Sequence, residues 1–185
     1  MILIAGLGNP GKQYYLTRHN IGFILIDKFL ESLSVKEKKR KYKSKTALIS
    51  FDGQTVLVMQ PLTFMNESGS AVLLARNFYK DVHKILVIHD DIDLEFGIIK
   101  FKKNGGNAGH KGLISISHLN PGVKIDRLRF GVGRPPGIKA AADYVLNNFT
   151  KAEQKELNVI IAAAIDALKD YIMFDIDYCM NKYNK

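Results

Sequence analysis

The sequence predicts an α/β fold: a twisted, mostly parallel sheet with helices on both faces, made mixed by one hairpin. Three observations predict it. Short apolar, strand-like runs alternate along the chain with segments of helical periodicity. The strand-like runs end at glycines or polar turn residues. The 185 residues, 46% of them apolar, suffice for one full hydrophobic core, so a single domain over 1–185 is expected.

Residues 1–7 read as a buried strand that stops at Gly6 and Gly8. Leu25, Ile26, Phe29, Leu30 and Leu33 have helical spacing and predict a helix over about 20–33. Two strands follow near 45–51 and 55–60, with Asp52-Gly53 as the hairpin turn. Ala71, Leu74, Ala75 and Phe78 mark a second helix that starts near Asn66 or Glu67. Residues 84–89 form another buried strand, and 98–102 a further one. Gly105-Gly106-Asn107-Ala108-Gly109 is a glycine-rich loop ahead of a short helix at about 111–118. A strand over 127–132 ends in the loop Gly133-Arg134-Pro135-Pro136-Gly137, and 140–146 form a short helix. Thr150-Lys151-Ala152-Glu153 is a capping box. It opens a long helix with Leu157, Ile160, Ile161, Ala164, Leu168 and Ile172 on its core side. No element is assigned after Met173.

The formal charge of +9 suits an anionic partner, of which nucleic acid is the commonest. The densest basic block runs from Lys36 to Lys45 and reads as a solvated connector, with phosphate contact left open. No apolar run approaches the roughly 20 residues that span a bilayer, so no membrane association is expected. Met1 leads directly into an apolar run without a charged segment or cleavage site, so no secretory signal is expected. Cys179 is the only cysteine, which excludes an internal disulfide and fits the cytoplasm.

Ligands of open α/β sheets bind beyond the carboxyl ends of the strands. Asn9 follows the first strand there, Thr63 to Asn66 follow the strand ending near Gln60, and Asp90, Asp91 and Asp93 follow the strand ending at His89. Gly6-x-Gly8-x-x-Gly11 matches a dinucleotide-binding pattern, but Pro10 and residues 12–16 separate it from the helix whose N-terminus would hold the pyrophosphate. A turn that aims Asn9 into a cleft suits it better, beside the plainer reading of a turn with no ligand. His19, just before the first helix, is a candidate general base, and no Ser or Cys nucleophile motif competes with it. An imidazole, with its ordinary pKa of about 6.5, can take a proton from water near pH 7. An aspartate on its other nitrogen would hold the tautomer. Asp90, Asp91 and Asp93, with His89, also allow a Mg²⁺-dependent phosphoesterase, or one or more of them simply caps turn amides. The loop at 105–112, with His110, Lys111, Lys102, Lys103 and Arg129, could hold a phosphate.

Gly6-Leu7-Gly8-Asn9-Pro10-Gly11, Thr17-Arg18-His19-Asn20, Thr63-Phe64-Met65-Asn66, His89-Asp90-Asp91 and Gly109-His110-Lys111-Gly112, in this order, resemble bacterial peptidyl-tRNA hydrolases over essentially the whole chain. The resemblance implies a Rossmann-like α/β fold and a monomer without metal or other cofactor. It implies hydrolysis of the ester between a peptide and the 3′ end of tRNA, with tRNA as the partner and no obligate protein partner. His19 resembles the family's general base and Asp90 its partner. Asn9 resembles the residue that separates N-blocked from free aminoacyl groups, and Asn66 one that orients the scissile group. Tyr14 and Phe64 match positions lining the site for the tRNA 3′ end, with Met65 beside them as substrate-binding. Lys102 and Arg129 match basic positions that hold tRNA phosphates. Lys111 departs from the family's usual asparagine, which exchanges a donor and acceptor for a charged donor. The alternative from another class is a non-catalytic RNA-binding module on the same fold.

Overall fold

The first strand of the chain, β1 (Ile2–Gly6), is the middle strand of a seven-stranded sheet. The computed structural model describes every residue except Pro136, Ile138 and Lys139, so the loop expected at 133–137 lies partly outside the described residues. The sheet order is β2 (Lys39–Lys41), β3 (Ser44–Phe51), β4 (Gln54–Pro61), β1, β5 (Lys84–Asp91), β7 (Asp126–Gly131), β6 (Ile99–Lys102). The central pairs β4–β1, β1–β5 and β5–β7 are parallel. The outer pairs β2–β3, β3–β4 and β6–β7 are antiparallel. The sheet is therefore mixed, with three parallel pairs at the centre and three antiparallel pairs outside them, and not the mostly parallel sheet expected, because both edges are closed by antiparallel strands. The β3–β4 turn is the expected Asp52-Gly53 hairpin, with both residues at positive φ (47° and 72°).

Successive residues of β1 point to opposite faces, and each face is covered by helices. Ile2 and Ile4 belong to the core formed with α1 (Ile21–Ser32), α5 (Lys151–Met173) and α6 (Ile176–Tyr183). Leu3 and Ala5 belong to the core formed with α2 (Ser68–Phe78) and α3 (Lys111–Leu119). A short α4 (Ala141–Val145) completes the set. The capping box of α5 forms: Thr150 Oγ1 accepts the Glu153 N–H (3.2 Å), and Glu153 Oε2 accepts the Thr150 N–H (2.6 Å). None of the described helices is long and apolar enough to cross a membrane.

Three segments differ from the sequence reading. The block at 36–45 is not merely a connector, because Lys39–Lys41 pairs with β3 as an exposed edge strand. The tail forms α6, capped by Asp175 and anchored by the fully buried Cys179. Asn184 then pairs with both main-chain groups of Phe101 (2.7 and 2.8 Å), which covers part of the β6 edge. Finally, β5 runs two residues past His89, so Asp90 and Asp91 sit on the strand itself.

One close approach places the site. At Gly22 in the first turn of α1, a Cβ would lie 2.3 Å from the Leu7 amide nitrogen and 2.5 Å from the Leu7 carbonyl oxygen. At Gly6 a Cβ would lie 2.3 Å from the Gly22 carbonyl oxygen. Only hydrogen at both positions lets α1 begin against the end of β1, and that brings His19 beside Asn9. Gly22→Ala is expected to cost at least about 2 kcal/mol by overpacking, a fall in Tm of roughly 5 °C or more. Thermal unfolding followed by circular dichroism checks this, and an unchanged Tm would refute the close approach.

Candidate active site

A cleft of about 600 Å³ opens beyond the carboxyl ends of β1, β4 and β5. Asn9, His19, Phe64, Met65, Asn66, Asp90, Lys102, His110, Lys111 and Arg129 all line it. Of the residues singled out in the sequence, Tyr14 is not among those lining it.

Asp90 is the hub. It is 3% exposed, and its Oδ1 meets His19 Nδ1 at 2.8 Å and His110 Nε2 at 3.0 Å. Burial alone pushes the carboxyl pKa up, but the His19 and His110 rings outweigh it by charge and hydrogen bonding and hold it well below the usual range. The rings are not equivalent. His110 is the N-cap of α3, and its Nδ1 accepts the Leu113 N–H (3.4 Å). That leaves the His110 proton on Nε2, where it is donated to Asp90. The separate bond from His19 Nδ1 to Asp90 makes His19 the Nδ1–H tautomer and leaves its Nε2 without a partner among the described residues. This corrects the expectation that His110 contributes a free donor for phosphate: both of its ring nitrogens are already engaged. His89 packs under the site with its ring 4.9 Å from that of His110. Its Nδ1–H donates to the Asp90 carbonyl (2.7 Å), and burial, then the facing His110, push its pKa down to about 3. His89 is therefore neutral near pH 7.

His19 sits on a tight turn, Arg18–Asn20, that runs into α1. Both flanking residues lock it, and the sequence reading assigned neither a role. Arg18 is 3% exposed. Its guanidinium donates to the Asn148 carbonyl (2.6 Å) and to Glu153 Oε2 (2.6 Å), and lies 4.4 Å from the centre of the Tyr144 ring. Burial pushes the Glu153 carboxyl up, but its bonds from Thr150 and Arg18 hold it below its ordinary value. Asn20 Oδ1 accepts the Asn9 N–H (2.8 Å) while its Nδ2 donates to the Asn9 carbonyl (2.9 Å). Asn9 is held further by the Met65 N–H, which donates to Asn9 Oδ1 (2.8 Å). The acceptor of the Asn9 amide is thus occupied, and the cleft is offered its N–H₂ donor. The motif that carries His19 contains both Arg18 and Asn20, and that adjacency is the one sequence signal for them.

Asn66 is exposed on the 3-10 turn Met65–Glu67 before α2, and Phe64 beside it is 56% exposed. Across the cleft, Arg127 pins the glycine loop through the Gly105 and Gly106 carbonyls and Asn107 Oδ1. Arg129 Nε donates to Asp91 Oδ2 (2.7 Å), which leaves its terminal nitrogens toward the cleft. Asp91 Oδ1 accepts the Asp93 N–H, and Asp93 pairs with Arg134. The three aspartates thus turn to different partners and do not converge as a Mg²⁺ cage. His19, Asp90 and His110 do bring three ligand-type atoms within 4.8 Å of one another, with the two separations to Oδ1 those of hydrogen bonds.

The comparisons with known proteins agree with this arrangement. The family model described as peptidyl-tRNA hydrolase matches residues 3–185. The chain belongs to the peptidyl-tRNA hydrolase family. A peptidyl-tRNA hydrolase of Thermoanaerobacter sp. is 40% identical over 185 residues, the whole of both chains. One from Rickettsia bellii is 48% identical over 175 residues, 92% of this chain and 90% of that one. The crystal structure of peptidyl-tRNA hydrolase from Acinetobacter baumannii superposes with a TM-score of 0.90 at 32% identity, covering 100% of this chain and 94% of that one. The expected fold class and the expected enzyme family both hold, and the reading as a non-catalytic RNA-binding module is not favoured.

Asp90 and Glu153 have folded-state pKa values below their unfolded ones. Their stabilisation is complete above the ordinary carboxyl range near pH 4 and is lost as pH falls through the lower folded values. Urea unfolding between neutral and acid pH is expected to show that decline, and Asp90→Asn is expected to flatten part of it. An identical acid limb in the variant would contradict the hub.

Proposed function

We propose that this cleft cleaves the ester between a peptide, or an N-blocked amino acid, and the 3′ end of tRNA, with His19 as general base. The observation that carries the reading is the unclaimed Nε2 of His19 in the cleft, on a ring whose Nδ1–H is held by Asp90. His19 Nε2 takes a proton from a water as that water attacks the ester carbonyl carbon. Asp90 keeps the attacking tautomer and balances the imidazolium that forms. Asn66, its amide free of protein partners among the described residues, donates to the carbonyl oxygen as negative charge develops there. The tetrahedral intermediate then expels the ribose oxygen, and the imidazolium returns the proton to it. The products are a free peptide carboxylate and a tRNA 3′ hydroxyl. No step calls on a metal or other cofactor.

Asn9 reads the acyl group. Its side-chain acceptor is occupied by Met65, so it offers a donor, which a blocked amino acid meets with its amide carbonyl. A free aminoacyl group has no such carbonyl and carries an ammonium instead. Phe64 and Met65 form the apolar wall beside it, and Phe64 supplies an exposed ring on which a base can stack. Lys102 and Arg129 hold RNA phosphates. RNA held by charge alone accords with the +9 charge and predicts salt-sensitive affinity with little sequence reading. We further take the protein to work in the cytoplasm as a monomer of one domain, without a membrane or obligate protein partner.

Two measurements test this. With a chelator present, an N-acetylated aminoacyl-tRNA is expected to be hydrolysed and the unblocked one spared. Release from neither substrate would overturn the hydrolase reading. His19→Ala is expected to lower kcat by about 10²–10⁴-fold while tRNA affinity stays near that of the parent. A variant with undiminished kcat would remove His19 from the role of base.

A further inference from the structure

Two further hollows open off the cleft on its Asn66 side. One, of about 520 Å³, shares Asn66 and Lys111 with the cleft. The other, of about 570 Å³, shares Phe64 with the cleft and Lys43 and Glu67 with the first hollow. The three form a continuous depression around residues 64–67. The cations lining the two hollows are Lys111 and Lys43, joined by Arg40 and Lys41 from the β2 edge strand, against the single carboxylate of Glu67. The neighbouring Lys38 and Lys39 are paired with Asp27 and Glu37, whereas these four have no ion-pair partner among the described residues. All four are exposed. Between them lie apolar wells formed by Ile114 and Leu119 on one side and Tyr42 and Leu62 on the other.

We propose that these hollows receive the peptidyl chain beyond the scissile ester and favour acidic side chains on it, with Lys111 and Lys43 as the residues that read the charge. This rests on the hydrolase reading above. An ester has two substituents, and they must leave the reacting carbon in different directions. The RNA phosphates are assigned to Lys102 and Arg129, and neither borders the hollows; Phe64, offered to a base, stands at the edge shared by the cleft and the second hollow. The acyl side is assigned to Asn9 and Asn66, and Asn66 borders both the cleft and the first hollow. A peptide following that path passes Lys111 directly after the ester and Lys43 next. Apolar wells between cations suit a peptide with acidic and apolar side chains.

The test uses two N-acetylated dipeptidyl-tRNAs with the same tRNA and the same C-terminal residue, one with Asp and one with Lys before it. At low salt the Asp substrate is expected to have the higher kcat/KM, by about fivefold for exposed pairs of this kind. The preference is expected to shrink toward unity at about 0.5 M salt, where screening is short-ranged. Lys111→Asn and Lys43→Gln are each expected to lower the ratio between the two substrates, a ratio that a folding defect does not alter. Equal kcat/KM for both substrates, or a ratio unchanged in both variants, overturns the inference and leaves the hydrolase reading standing. Weaker inhibition by deacylated tRNA in those variants, with the ratio unchanged, overturns it in favour of RNA contact. Hydrolysis of neither substrate by the parent overturns the hydrolase reading as well.

Discussion

A carboxylate buried at the end of a central strand cannot stand alone. Removing the Asp90 charge from water is costly unless donors replace the lost solvation. Two imidazole N–H groups do so, and they come from distant parts of the chain: His19 from the turn before α1 and His110 from the cap of α3. The rest of the site depends on keeping those two rings on one oxygen atom. Gly22 lets α1 begin against β1, Arg18 ties the His19 turn to the start of α5, and the Leu113 N–H sets the His110 ring. The fold and the active site are held by the same contacts.

Hydrogen bonding, not residue type, divides the labour among three neighbouring histidines. His110 uses both nitrogens in structure, and His89 is buried and kept neutral. His19 keeps its Nε2 lone pair unclaimed among the described residues, whereas the unpaired Nε2 of His89 is buried. The same logic applies to the asparagines. Asn20 spends its amide on the Asn9 backbone, Asn9 keeps only its donor, and Asn66 keeps its whole amide. One chemical group thus stands in three states: a brace at Asn20, a donor toward the cleft at Asn9 and, among the described residues, an unpaired amide at Asn66.

Some of this was legible in the chain. His19 stood out because it precedes an amphipathic helix, has no competing nucleophile, and faces a strand that ends in aspartates. Asp90 was legible as its partner because α/β sheets gather groups at strand ends. His110 was misread as a phosphate donor, because a glycine-rich loop suggests anion binding and nothing local shows that Nδ1 caps the next helix. Arg18 gave no signal of burial, since its partners are carbonyls and a carboxylate some 130 positions away. The β2 strand was missed for a related reason. A Lys-Arg-Lys run has no alternating pattern and becomes a strand only by pairing with β3.

The sequence by itself determined the elements, the alternation that builds an α/β sheet, and the hairpin and capping-box residues, and it singled out His19 and Asp90. These follow from periodicity and from contacts within a few residues. Only the tertiary structure decided which nitrogen of His19 faces the cleft, that His110 is spent on Asp90, that Asn9 offers a donor, and that Lys111 and Lys43 border one continuous depression. Those outcomes depend on which groups are left unpaired after long-range packing has satisfied the others, and no local pattern in the chain encodes that remainder.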